Sequence, residues 1–126
     1  MRGDEVSVVL VVEDDPDVRE TTSVLLEDAG YEVLIADSST QALEMADSRD
    51  DIDVVFTDVN LREAPNGIEL ARQLKSKGSR ASFVVVSGDL GWAETSLDKD
   101  MRFLPKPFGR STLLAVVGDA CKGSGK

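Results

Sequence analysis

Apolar runs and amphipathic stretches alternate along the chain without a break. Val6–Val12 reads as a first strand, and Asp15-Pro16 as a helix cap followed by proline at the first helical position. Val18, Thr22, Leu25 and Ala29 give that helix its stripe, and Gly30 ends it. A second strand, Glu32–Ala36, leads to a helix capped near Ser38 or Ser39 and carrying Ala42, Leu43 and Ala46. The third strand, Asp53–Thr57, runs into Asp58. A loop over Val59–Asn66 precedes a helix with Ile68, Ala71 and Leu74 that stops near Gly78. Ser82–Val86 is a fourth strand and Arg102–Leu104 a brief fifth, while Gly88–Met101 between them holds at most a short helix, Trp92 to Leu97. The last helix, from about Arg110 to Cys121, carries Leu113, Leu114, Val116, Val117 and Ala120. Strands alternating with helices predict an α/β domain built on a parallel sheet with crossover helices. At 126 residues the chain makes one domain, its core running from about residue 6 to 121, with 1–5 and 122–126 as frayed ends.

Polar residues stand where four of the strands end. Glu13-Asp14-Asp15 follows the first, Asp58 the third, Ser87 the fourth, and Lys106 the fifth. In an open α/β sheet the carboxyl ends of the strands form the ligand edge, so these groups converge there. Glu13, Asp14 and Asp58 in close company would raise one another's pKa unless a cation neutralised them. Mg²⁺ suits such a site, having few carboxylates and room for water and a phosphoryl oxygen. The plainer reading of Glu13-Asp14-Asp15 is a helix start, where acids favour the macrodipole; Asp15 fits that capping role and leaves Glu13 and Asp14 for a metal. Asp58 either caps the turn after its strand or attacks phosphorus to form an acyl phosphate. Phosphoryl transfer is mostly positioning and electrostatics, and Lys106 offers a point cation and Ser87 a hydroxyl donor for it. Lys106 has the alternative of a solvated surface lysine, but Pro105 and Pro107 flank it, and the Lys106-Pro107 bond is a candidate for cis.

Composition narrows the field. A formal charge of −10 argues against a nucleic-acid-binding surface, and a well-solvated acidic exterior accounts for most of it. Cys121 is the only cysteine, which excludes an intramolecular disulfide and points to a reducing, cytoplasmic setting; within LLAVVGDAC it reads as helix packing. No apolar run approaches the ~20 residues of a membrane span. Residues 1–5 lack the apolar stretch of a signal peptide, so no membrane association is expected. There is no histidine, which rules out imidazole chemistry within the chain.

Taken in order, VLVVEDDPDVR, VVFTDVNL, VVVSGD and FLPKPF resemble the receiver domain of two-component response regulators, and the resemblance covers essentially the whole chain. Each motif alone is weak; four in sequence are specific. The resemblance, to a chemotaxis-regulator-like single domain, implies a flavodoxin-like, doubly wound, five-stranded parallel sheet of order 2-1-3-4-5 with helices on both faces. It implies that Asp58 is the phosphoacceptor and that Glu13 and Asp14 join it in holding Mg²⁺, with the backbone carbonyl of Asn60 as a further ligand. Ser87 becomes the switch hydroxyl, Lys106 the phosphate-binding lysine, and Phe103 either the aromatic switch or an ordinary core ring. The implied donor is a histidine kinase or histidine phosphotransfer protein, the recipient of the signal an unidentified protein or output domain, and a phosphorylation-dependent dimer is allowed. A bacterial signalling switch is implied, not an enzyme acting on a free metabolite; transfer and loss of the phosphoryl group are self-catalysed.

Two departures from the family pattern stand out. Pro65 and Gly67 come late, which indicates a one-residue insertion near the metal. Ser87 and Lys106 are closer than usual, so the fourth family helix is expected to be short or distorted, with Trp92 either presented to a partner or packed over it. Three rivals share parts of the pattern. A haloacid-dehalogenase-like phosphohydrolase needs an acid where Asn60 stands, and room for a capping domain. A flavodoxin-like nucleotide binder needs glycine and hydroxyls where Glu13, Asp14 and Asp15 would repel phosphate. A degenerate receiver that binds partners without phosphorylation conflicts with the full set of Glu13, Asp14, Asp58, Ser87 and Lys106. The 126 residues include no output domain, which fits a free-standing regulator or a piece of a larger one equally well.

Overall fold

The computed structural model describes residues 6–63, 65–88, 98 and 100–123. Its strands are β1 (Val8–Val12), β2 (Glu32–Ala36), β3 (Val54–Asp58), β4 (Ser82–Ser87) and β5 (Met101–Pro105). The helices described are α1 (Pro16–Asp28), α2 (Ser39–Ser48), α3 (Gly67–Ser76) and α4 (Arg110–Gly123). All strand pairs are parallel and the order is β2-β1-β3-β4-β5, as the resemblance implied. The expected short helix between Trp92 and Leu97, and Trp92 itself, lie outside the described residues.

β1, β3 and β4 are buried along their whole length, which is why they read as unbroken apolar runs. One face of the sheet packs Leu10, Val12, Val55 and Val85 against Ala42 of α2 and Ile68, Leu70, Ala71 and Leu74 of α3. The other packs Val9, Val11, Val84 and Leu104 against Leu26 of α1 and Leu113, Val117 and Ala120 of α4. Cys121 packs at the margin of this second layer, as its apolar surroundings suggested.

Local chemistry sets the helix ends. Asp15 caps α1 by accepting from the amides of Asp17 (2.9 Å) and Val18 (3.3 Å), with Pro16 at the first position. Ser38 caps α2 by accepting from Gln41 (3.1 Å). At the far ends of α1 and α3, Gly30 (φ 102°) and Gly78 (φ 93°) turn in the left-handed region. The next amides, of Tyr31 and Ser79, return to the carbonyls of Leu26 and Leu74, both at 3.1 Å.

Some strand bounds and the buried face of α1 differ from the sequence reading. β1 begins at Val8, and Val6 is exposed, because Asp53 takes over the edge of the ladder: its carboxylate accepts from Val8 N at 2.8 Å and its own amide donates to Val8 O at 2.9 Å. The buried face of α1 centres on Thr22, Ser23 and Leu26, with Val18 and Leu25 only partly covered and Ala29 exposed. Ser23 tolerates burial because its hydroxyl donates to Arg19 O at 2.8 Å. At the start of β5, Arg72 and Lys75 of α3 pair with Asp98, and Lys75 also with Asp100, so charges as well as core contacts tie this edge to the helix layer.

Candidate functional site

The β1–α1 turn delivers two carboxylates to the carboxyl edge of the sheet. Glu13 follows β1 directly; its amide donates to Ala36 O (3.0 Å) and its carbonyl accepts from Arg19 Nη1 (2.9 Å). The Glu13 side chain is buried, and its Oε2 accepts from the Asp15 amide at 3.2 Å. Asp14, one residue on, accepts a 2.6 Å bond from the Arg62 amide through Oδ2.

Asp58 is the last residue of β3 and is buried at the same edge. Its Oδ1 accepts from the Asn60 amide at 3.3 Å and its Oδ2 lies 3.1 Å from Lys106 Nζ. Lys106 Nζ is also 3.8 Å from Glu13 Oε1. Its backbone is fixed by an amide bond to Ser87 O (3.0 Å), and the Lys106-Pro107 peptide is cis. The register puts Asp58 beside Val86 and Ser87 beside Pro105, so the ends of β3, β4 and β5 meet at one level. Ser87 is fully buried there. Phe103, opposite Val85 in the ladder, is half-buried on β5.

One oxygen from each of Glu13, Asp14 and Asp58 lies within 4.8 Å of the others. Octahedral Mg²⁺ with bonds of about 2.1 Å needs ligand oxygens roughly 3–4 Å apart, a small contraction of this set. The donors are all hard oxygens, three carboxylates against one close ammonium, and they fit that ion. The pKa of Glu13 is raised, chiefly by burial and further by the charges of Asp58 and Asp14, against lowering by the Asp15 amide and Lys106. A cavity of about 310 Å³ opens beside Asp14, lined by Asp37, Ser38, Leu61, Arg62 and Glu63. A hollow of about 370 Å³ between the carboxyl-terminal ends of α2 and α3 lies at the opposite edge and holds none of these groups.

Gly67 has a structural reason to be glycine. A β-carbon on Gly67 would stand 2.8 Å from the Asp58 carbonyl carbon and closer still to its oxygen, so only glycine lets α3 begin against the end of β3. The loop is fixed near both ends: the amides of Leu61 (3.1 Å) and Gly67 (3.0 Å) both donate to Val59 O. Asn66 and Glu69 form a reciprocal capping box, and Ser39 Oγ donates to Pro65 O at 2.7 Å. Arg19, Arg62, the contact of Ser39 with Pro65 and the close approach of Gly67 carried no motif signal in the sequence. The late glycine beneath an asparagine cap was the one visible signal among them.

A parallel sheet of order β2-β1-β3-β4-β5 with an acid cluster and a lysine at its carboxyl edge is a flavodoxin-like architecture. The sequence matches the response regulator receiver domain family over residues 9–118, and the chain belongs to that family, a component of two-component signalling. It is 36% identical over 112 residues to the response regulator MprA of Mycobacterium leprae, covering 86% of this chain and 48% of that protein. The chain thus spans about half the length of the curated relatives it matches. A response regulator receiver protein from Sinorhizobium medicae superposes with a TM-score of 0.84 at 29% identity, covering 94% of this chain and 96% of the other. The receiver domain of the hybrid histidine kinase CckA gives 0.77 at 31% identity, covering 91% and 99%. No helix among the described residues is long and apolar enough to cross a membrane.

Proposed function

We propose that this chain is a phosphorylatable receiver that takes a phosphoryl group from a histidine kinase or histidine phosphotransfer protein onto Asp58 with Mg²⁺. The observation that carries the reading is the meeting of Asp58 with Glu13 and Asp14 within 4.8 Å and with Lys106 at 3.1 Å. An oxygen of Asp58 forms the new P–O bond as the donor's P–N bond breaks, and the departing imidazole is neutral once it has gained a proton from solvent. Glu13, Asp14 and Asp58, with the Asn60 carbonyl, would hold the metal, which supplies charge neutralisation for the transferred oxygens. Lys106 already sits on Asp58 and offers the same oxygens a second cation. Ser87 supplies a hydroxyl at the end of β4, and Phe103 on β5 follows its movement.

The protein is then a bacterial, cytoplasmic switch, not an enzyme turning over a metabolite. Phosphorylation biases the β4–β5 face towards a downstream partner or a second copy of the domain. Incubation with acetyl phosphate and Mg²⁺, followed by peptide mass mapping, tests the acceptor: the adduct is expected on the peptide containing Asp58. An adduct confined to another peptide would remove Asp58 from the role. Asp14→Ala is expected to weaken Mg²⁺ binding sharply in calorimetric titration, and an unchanged affinity would place the metal elsewhere.

A further inference from the structure

Asp14 and Asp58 have different cationic neighbours. Lys106 stands against Asp58 and Glu13, whereas Asp14 meets a different cation, Arg62, four residues beyond Asp58 in the lengthened β3–α3 loop. The loop is pinned near both ends by the bonds to Val59 O, the Ser39–Pro65 contact and the Asn66–Glu69 box, and Arg62 lies against Asp14. The Arg62 amide then bonds Asp14 Oδ2 across 48 positions of sequence, and Arg62 Nε comes within 3.8 Å of the same oxygen. The guanidinium is otherwise open to solvent, 79% exposed, while the Asp14 side chain is 16% exposed.

We propose that Arg62 is a tethered cation that competes with the divalent metal for Asp14 and so sets the affinity of the site. The inference rests on the reading that Glu13, Asp14 and Asp58 hold Mg²⁺. The backbone bond keeps the loop, and with it the positive charge, beside a carboxylate that the metal must share. A metal arriving there meets repulsion from a charge it must displace towards solvent. The Arg62 end of the pair is exposed, so its effect is modest, about two- to fivefold in affinity. It is also screened by salt, because the guanidinium faces water.

Calorimetric Mg²⁺ titration of wild type, Arg62→Ala and Arg62→Gln, at low and at high ionic strength, tests this. Both variants keep the backbone amide; Arg62→Gln removes the charge and keeps much of the side chain, whereas Arg62→Ala removes both. Both are expected to bind Mg²⁺ about two- to fivefold tighter than wild type at low salt, with the gap closing at high salt. Wild type that binds Mg²⁺, with variants of equal or weaker affinity at low salt, overturns the role of Arg62 and leaves the metal site standing. Wild type that binds no Mg²⁺ overturns both. Tightening in Arg62→Ala but not in Arg62→Gln would show that side-chain bulk, not charge, is responsible, and would also overturn it.

Discussion

Replacing Gly67 by alanine places a methyl group against atoms that cannot rotate away. The added carbon would press on the Asp58 carbonyl oxygen, lie 2.8 Å from its carbon and 3.0 Å from Thr57 Oγ1. Two of the three are backbone, and Thr57 Oγ1 is itself bonded to Asp58 O at 3.0 Å. Relief therefore requires α3 to move off the end of β3, at Asp58. Overpacking of this kind costs about 1–3 kcal/mol, and the backbone contact argues for about 3. Alanine's better helix propensity returns at most about 1 kcal/mol. The net loss of about 2 kcal/mol corresponds to a fall in Tm of roughly 6–10 °C for a domain of this size. Gly109→Ala is the control, since nothing lies within 4 Å of its added carbon and its φ is not in the left-handed region. Thermal melts followed by circular dichroism measure both. A Gly67→Ala protein as stable as Gly109→Ala would refute the steric account of why glycine stands there.

Two further predictions follow from the same geometry. Burial raises the pKa of Glu13 above its ordinary value, so its contribution to stability is fully present below the unfolded pKa and is lost as pH rises through the folded one. In metal-free buffer, Glu13→Gln should therefore gain on wild type as pH climbs from about 4 to 7, read as a widening Tm difference; parallel curves would contradict it. Asp15→Ala removes the acceptor for two first-turn amides of α1 and should cost about 1 kcal/mol in urea unfolding. A loss below about 0.3 kcal/mol would show that water replaces the cap.

The strand ends were legible because each apolar run stops abruptly at a polar residue of distinct chemistry: Glu13 after β1, Asp58 in β3, Ser87 in β4 and Lys106 after β5. Helix boundaries were legible where one residue type does one job, as at Asp15-Pro16, Ser38, Gly30 and Gly78. Contacts between distant positions were not. The Arg62–Asp14 bond spans 48 residues and uses a backbone amide, which carries no side-chain signature. The rotation of the α1 face was hidden for a related reason, since Ser23 reads as polar and is buried only because its hydroxyl is satisfied within the helix. Pro65 and Gly67 stood out in the sequence, but the contacts that bring Arg62 to Asp14 involve Ser39 and Val59, which carried no such signal.

The central claim is that Asp58 accepts a phosphoryl group in a metal-dependent site. Intact-mass spectrometry of wild type and Asp58→Asn after incubation with acetyl phosphate, with Mg²⁺ and with chelator, tests it most directly. The account predicts a single phosphoryl adduct on wild type, dependent on Mg²⁺ and absent from Asp58→Asn. An adduct of equal yield on folded Asp58→Asn, or none on folded wild type under any condition, would contradict it, the latter leaving a receiver that binds partners without phosphorylation.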